Sequence, residues 1–156
     1  MKKVCIAILS IVFLVSTGFA ADMAKQTFSA TLTGNDGVPP VTTDAKGEAT
    51  FMLSKDGKKL IYNITATNLA GVRASHIHMG KKGENGDPIA LIKVKATKGK
   101  MTGTLAKGTI TKKELMTSLK GKDLQALVDV INAGNAYVNV HTTKFPDGEI
   151  RGQIVK

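Results

Sequence analysis

Apolar residues recur at every second position in a series of short runs, and this periodicity is what most restricts the fold. In a strand, residues i and i+2 point to the same face. Phe28, Ala30 and Leu32 alternate through Thr27 to Thr33, Ala49, Phe51 and Leu53 through Gly47 to Leu53, and Leu60, Tyr62, Ile64 and Ala66 through Leu60 to Thr67. Each run is half-buried β-structure by pattern. The stretches between them carry turn chemistry. Gly34-Asn35-Asp36-Gly37 is a turn cluster, Pro39-Pro40 forces an extended, non-pairing segment, and Asp56-Gly57 is a hairpin signal.

The alternation continues downstream. Asn68-Leu69-Ala70-Gly71 reads as a turn into a strand around His76 and His78. A loop from Gly80 to Pro88 follows, able to reach over a site, with acids too few and too poorly spaced for a calcium loop of the helix-loop-helix type. Ile89 to Val94 suits a strand, and Met101 to Ala106 a weaker one interrupted by Gly103. Tyr137 to Thr142 and Glu149 to Val155 close the series, the last with Ile150, Gly152 and Ile154 inward. The period changes only once. Thr111 and Glu114 fit a capping box, Leu115 and Leu119 follow at helical spacing, Leu124, Leu127, Val128 and Ile131 form an apolar stripe, and Gly134 is placed to end it. About eight short strands and one such excursion predict an all-β, antiparallel Greek-key β-sandwich or barrel with a helical insertion between about Thr111 and Gly134. Phe51, Val138, Val140 and Ile77 fall on its core side.

The start of the chain points to export. Met1-Lys2-Lys3, an apolar run from Val4 to Val15, and Gly18-Phe19-Ala20 have the layout of a secretory signal peptide cleaved after Ala20. The run is too short for a comfortable membrane span, and the only cysteine, Cys5, lies too early for a lipoprotein anchor. Residues 21–156 then form one domain, secreted or periplasmic, without a disulfide, held by core burial alone. The 156-residue chain carries a formal charge of +10. Its lysines are scattered over turns and few aromatics are available for stacking, so specific nucleic-acid binding is not expected. Loose attraction to an anionic surface polymer is open, as is a partner protein.

Chemistry points to the three histidines. His76 and His78 are two apart and project together. In the later run Tyr137, Asn139 and His141 share one face, opposite Val138 and Val140. If the two strands adjoin, His76, His78 and His141 make a three-nitrogen site for copper or zinc, with Cu²⁺ bound more tightly than Zn²⁺. Met79 points away from it by alternation. Such a site needs neutral imidazoles, so its affinity is expected to fall as pH drops through about 6.5. The alternative is structural histidines bonded to Asn139, Thr142 or Glu149. A serine nucleophile is not expected, since no Gly-x-Ser-x-Gly elbow occurs and Ser75 faces away from His76. Glu149 and Arg151 share a face of the last strand and are placed to pair with each other or with a neighbour. Arg73 is placed to bind an anion or to face water.

The motifs also resemble a known family. Phe28-Ser29-Ala30-Thr31-Leu32-Thr33-Gly34 with Val38-Pro39-Pro40-Val41 resembles the opening of the CHRD domain, the module named for chordin. Ala74-Ser75-His76-Ile77-His78-Met79-Gly80 resembles its centre, and Tyr137 to Thr142 with Phe145 to Gln153 its close. The resemblance implies a secreted, single β-rich domain. The growth-factor antagonism of chordin does not transfer to a stand-alone domain with a bacterial-type leader. A weaker similarity, at the level of fold, is to copper/zinc superoxide dismutases, Greek-key barrels with a His-x-His strand. Three histidines are too few for their bridged two-metal site. The expected fold is thus immunoglobulin-like or superoxide-dismutase-like. The expected function is an exported binding module for metal, partner protein or surface polymer, with a copper-dependent oxidoreductase or a purely structural module as alternatives.

Overall fold

The computed structural model describes residues 26–156; the leader assigned to residues 1–20 lies outside the described residues. Eight strands are present: β1 (Thr27–Thr33), β2 (Lys46–Leu53), β3 (Leu60–Ala70), β4 (Val72–Met79), β5 (Pro88–Ile92), β6 (Lys100–Ile110), β7 (Ala136–Thr142) and β8 (Ile150–Gln153). They form one antiparallel sheet in the order β5-β4-β7-β8-β1-β2-β3-β6, curled into a nearly closed barrel. β3 lies beside β6 rather than β4, and β7 lies beside β4 rather than β6. These two crossovers make the topology a Greek key. Among the described residues no helix is long and apolar enough to cross a membrane.

The register explains the core. Phe28, Phe51 and Tyr62 align across β1, β2 and β3, and Ala30, Ala49, Ile64 and Ala106 form the next rung. Ile77, Val138 and Gly152 align across β4, β7 and β8. All of these apolar side chains are buried in one cluster. The alternation in the sequence therefore marks the inward face correctly on both halves of the barrel.

The barrel stays open at the seam between β5 and β6, and other groups fill it. The Tyr62 hydroxyl lies across Gly108 and reaches the backbone just beyond β5, donating to Lys93 O at 3.3 Å and accepting from Lys93 N at 3.2 Å. On the same strand Met116 N donates to Ile89 O and Thr117 Oγ1 donates to Pro88 O.

Three expectations need correction. β3 continues through Asn68 to Ala70, and the chain turns only at Gly71; a register irregularity against β6 between Ala66 and Leu69 lets the strand pass through the polar Thr67-Asn68 step. β6 runs four residues past Ala106, because Lys107 and Gly108 pair with Asn63 and Tyr62 although neither shows a strand signal. Leu115 and Leu119 are buried but not on a helix. The Thr111 capping box forms on a 3-10 turn, Lys112–Glu114, and a second such turn, Thr117–Leu119, follows. Thr117 adopts φ +41, which breaks any continuous helix there. The α-helix proper, α1 (Leu124–Asn132), buries Leu124, Leu127, Val128 and Ile131. It ends as expected, with Gly134 at φ +70, Gly134 N donating to Ile131 O and Asn135 N donating to Val130 O.

Candidate metal centre

β4 and β7 pair directly, with Ala74 opposite His141, His76 opposite Asn139 and His78 opposite Tyr137. Adjacent strands are the condition that the sequence left open. His76 and His78 stand side by side on β4, and His141 stands one rung away on β7, all three on the outer face of the barrel. Their ring centroids are 5.3 to 5.7 Å apart, close to an equilateral triangle. One nitrogen from each ring lies within 4.8 Å of the other two. The three histidines are thus close enough together to hold a metal ion.

Hydrogen bonding decides which nitrogens are available. His78 Nδ1 is 2.9 Å from Gly86 O, and His141 Nδ1 is 2.9 Å from Pro146 O. A carbonyl only accepts, so in each case Nδ1 carries the proton and donates. The neutral ring then has its lone pair on Nε2. His78 Nε2, His141 Nε2 and His76 Nδ1 are buried and have no hydrogen-bond partner. Among the described residues six buried side-chain polar atoms lack a partner, and these are three of them. Unpaired buried polar atoms are rare in folded proteins because each costs about 1–3 kcal/mol. Three on one triangle, two of them on rings fixed from behind by a carbonyl, is the arrangement that metal-ligating histidines share.

Electrostatics favours the neutral rings. Burial lowers the pKa of His76 to about 4, with His141 and His78 adding repulsion. His78 is also lowered, chiefly by burial; the Gly86 carbonyl and Asp87 oppose the shift, and His141 and Arg151 reinforce it. Proton competition at these two rings therefore sets in below the pH of about 6.5 expected from the sequence.

The carbonyls that fix the rings belong to two loops, and each loop is clamped by one buried charged side chain. Arg151 holds the loop after β4: its guanidinium donates to Glu84 O (2.6 Å), Lys81 O (3.1 Å) and Asn85 Oδ1 (3.0 Å). It also lies 3.6 Å from the Tyr137 ring centroid, and Tyr137 stacks on His78 at 5.1 Å. Burial lowers the Arg151 pKa. The Tyr137 hydroxyl accepts from Gly86 N at 3.1 Å, so the residue whose carbonyl meets His78 is held from both sides. A side chain at Gly86 would collide with the Met79 carbonyl oxygen, which makes glycine necessary at this close approach. Glu149 holds the other loop, accepting from Thr142 Oγ1 and Thr43 Oγ1, each at 2.7 Å. The main chain of that loop returns to β7 through Thr142 N donating to Phe145 O.

Of the two expectations for Glu149 and Arg151, the structure takes the second: they bond to neighbours and not to each other. Residues two apart on a strand lie about 6.6–6.8 Å apart along it, and each finds closer partners elsewhere: Arg151 on the loop after β4, and Glu149 on Thr142 at the end of β7 and Thr43 between β1 and β2. The alternative partners considered for the histidines, Asn139, Thr142 and Glu149, are likewise engaged elsewhere: Asn139 donates to Asp147 O, and Thr142 donates to Glu149. Tyr137, Gly86 and Pro146 escaped sequence reasoning as supports of the triad.

In front of the rings is an open cleft of about 510 Å³, lined by the three histidines with Arg73, Ala74, Pro88 and Thr143 among others. Met79 is absent from its lining and packs against the core, as alternation predicts.

The family model for the CHRD domain matches residues 28–154, nearly everything described above. The chain belongs to the CHRD domain family. The match takes in all eight strands apart from the first residue of β1, both clamped loops and the three histidines of this CHRD domain. No curated protein and no solved structure matches the chain.

Proposed function

We propose that this CHRD domain is an exported metal-binding module that holds one Cu²⁺ ion, and Zn²⁺ more weakly, on His76, His78 and His141. The observation that carries the reading is the set of three partnerless buried nitrogens on one triangle, two on rings whose other nitrogen is bonded to a backbone carbonyl. Metal–nitrogen bonds of about 2.0–2.1 Å would satisfy all three at once. Imidazole donors suit both metals, and the Irving–Williams order favours Cu²⁺. Export is supported by the leader-like residues 1–20, and N-terminal sequencing of secreted protein is expected to start at Ala21.

The test is titration calorimetry with Cu²⁺ and Zn²⁺ at neutral pH, together with thermal unfolding in the presence and absence of each ion. At a free ion concentration of 100 times Kd the folded state gains about 2.7 kcal/mol. His78→Ala and His141→Ala are expected to remove most of that gain. Equal copper affinity in the wild type and both variants would rule out the site. A redox assay on the copper-loaded protein separates a binding module from an oxidoreductase.

A further inference from the structure

The open side of the triad has an unusual charge balance. All three candidate donors are imidazoles, which ligate a metal as neutral groups, so a divalent ion there keeps its full charge. No carboxylate lines the cleft. Both Glu149 oxygens are taken by threonine hydroxyls. Asp87 is exposed and outside the lining, although its charge is felt at His78. What does line the cleft is Arg73, which is exposed and forms no ion pair among the described residues. Any ion on the triad would therefore face the solvent beside a second positive charge, with no anion supplied by the cleft walls.

The shape agrees with the charge. Ala74 stands opposite His141 on the paired strand, so the smallest chiral side chain occupies the rung where a larger one would fill the cleft. The volume of about 510 Å³ exceeds what water ligands alone need. A guanidinium offers a planar pair of donors that matches a carboxylate.

We propose that the open coordination position takes a small organic carboxylate, one oxygen replacing water on the ion and the other accepting from Arg73. This rests on the metal-binding reading above. The triad and the clamped loops supply the ion, and Arg73 selects what joins it.

The experiment has two stages on the same protein. Copper binding is measured first, without added anion, on wild type, Arg73→Ala and Arg73→Lys. Azide is then titrated into the copper-loaded proteins and followed by its charge-transfer absorption, and acetate is used to displace it. The expected result is near-equal copper affinity in the three proteins, azide and acetate binding in the wild type, and about tenfold weaker anion binding in Arg73→Ala. Arg73→Lys should recover part of the loss, and added salt should weaken anion binding in the wild type more than in Arg73→Ala. Copper uptake with no azide or acetate binding, or with anion affinity unchanged in Arg73→Ala, would overturn the anion site and leave the metal site standing. Failure to bind copper in the first stage would overturn both.

Discussion

The two faces of β4, β7 and β8 are built on opposite principles. Inward, Ile77, Val138, Val140 and Ile150 are fully buried in an apolar cluster that owes its stability to area removed from water. Outward, on the same strands, Tyr137, His78, Asn139 and Arg151 are also buried, at 2 to 8 % exposure, yet nearly all of this layer is polar. Its order comes from hydrogen bonds of defined direction: Arg151 to three groups of one loop, Asn139 to Asp147 O, His78 to Gly86 O. An apolar core tolerates sliding and repacking of similar shapes. A polar layer under loops does not, because each displaced partner is left unpaired. Bonds of this second kind, to Gly86 O and Pro146 O, fix the His78 and His141 rings without a metal being needed to do it.

The largest expected effect breaks the inner face alone. Phe51 is 2 % exposed and stacked in register between Phe28 and Tyr62. Phe51→Ala is expected to cost about 3–5 kcal/mol in urea unfolding while copper affinity of the folded fraction stays within about twofold. A parallel collapse of copper affinity would show that the two faces are not separable.

A smaller effect should reach both stability and the site. Arg151→Leu removes the donors to Lys81 O, Glu84 O and Asn85 and the cation on the Tyr137 ring. About 1–3 kcal/mol of stability should go with them. Copper affinity should fall roughly 10–100-fold, although Arg151 touches no ligand nitrogen, because Gly86 loses its frame behind His78. Unchanged calorimetric copper binding in this variant would refute the loop clamp as a support of the triad.

The smallest effect is titration of the metal-free protein. His76 has its folded pKa depressed to about 4, and His78 is shifted the same way. Below pH 6.5 the unfolded chain therefore binds protons that the folded one refuses. Stability from these rings is complete above about pH 6.5 and declines as pH falls toward 4. The urea midpoint should thus drop between pH 7 and pH 4.5, and His76→Gln should flatten the decline. A midpoint with the same pH dependence in wild type and His76→Gln would contradict the burial assigned to that ring.

What the sequence revealed of this molecule follows from the range of its signals. Alternation is a short-range rule, so it located the inward face of nearly every strand and put His76, His78 and His141 on the outer one. It carries no information about which strands adjoin; that depended on the β4–β7 crossover pairing, whose partners are 57 to 70 residues apart. The supports of the triad were less legible still. Gly86 and Pro146 act through backbone carbonyls, which every residue has. Glu149 and Arg151 were noticed for their shared face, and their separate loop partners could not be seen because the loops' paths have no periodicity. In the helical excursion the Thr111 cap was a valid local signal. Its extension failed at Thr117, whose hydroxyl is held by Pro88 O at 2.6 Å across the fold, outside the reach of helix propensity.

The unclosed seam has a consequence for self-association. An apolar strand such as Pro88–Ile92 with an unpaired edge is a template onto which a second chain can add a strand. Here that edge is spoken for along its length: Thr117 at Pro88, Met116 at Ile89, a bridge from Leu115 to Ala90, and Tyr62 on Lys93 just past its end. The segment between β6 and α1 is thus a guard against strand invasion. It gives a cysteine-free domain protection against aggregation that full barrel closure would otherwise have to provide.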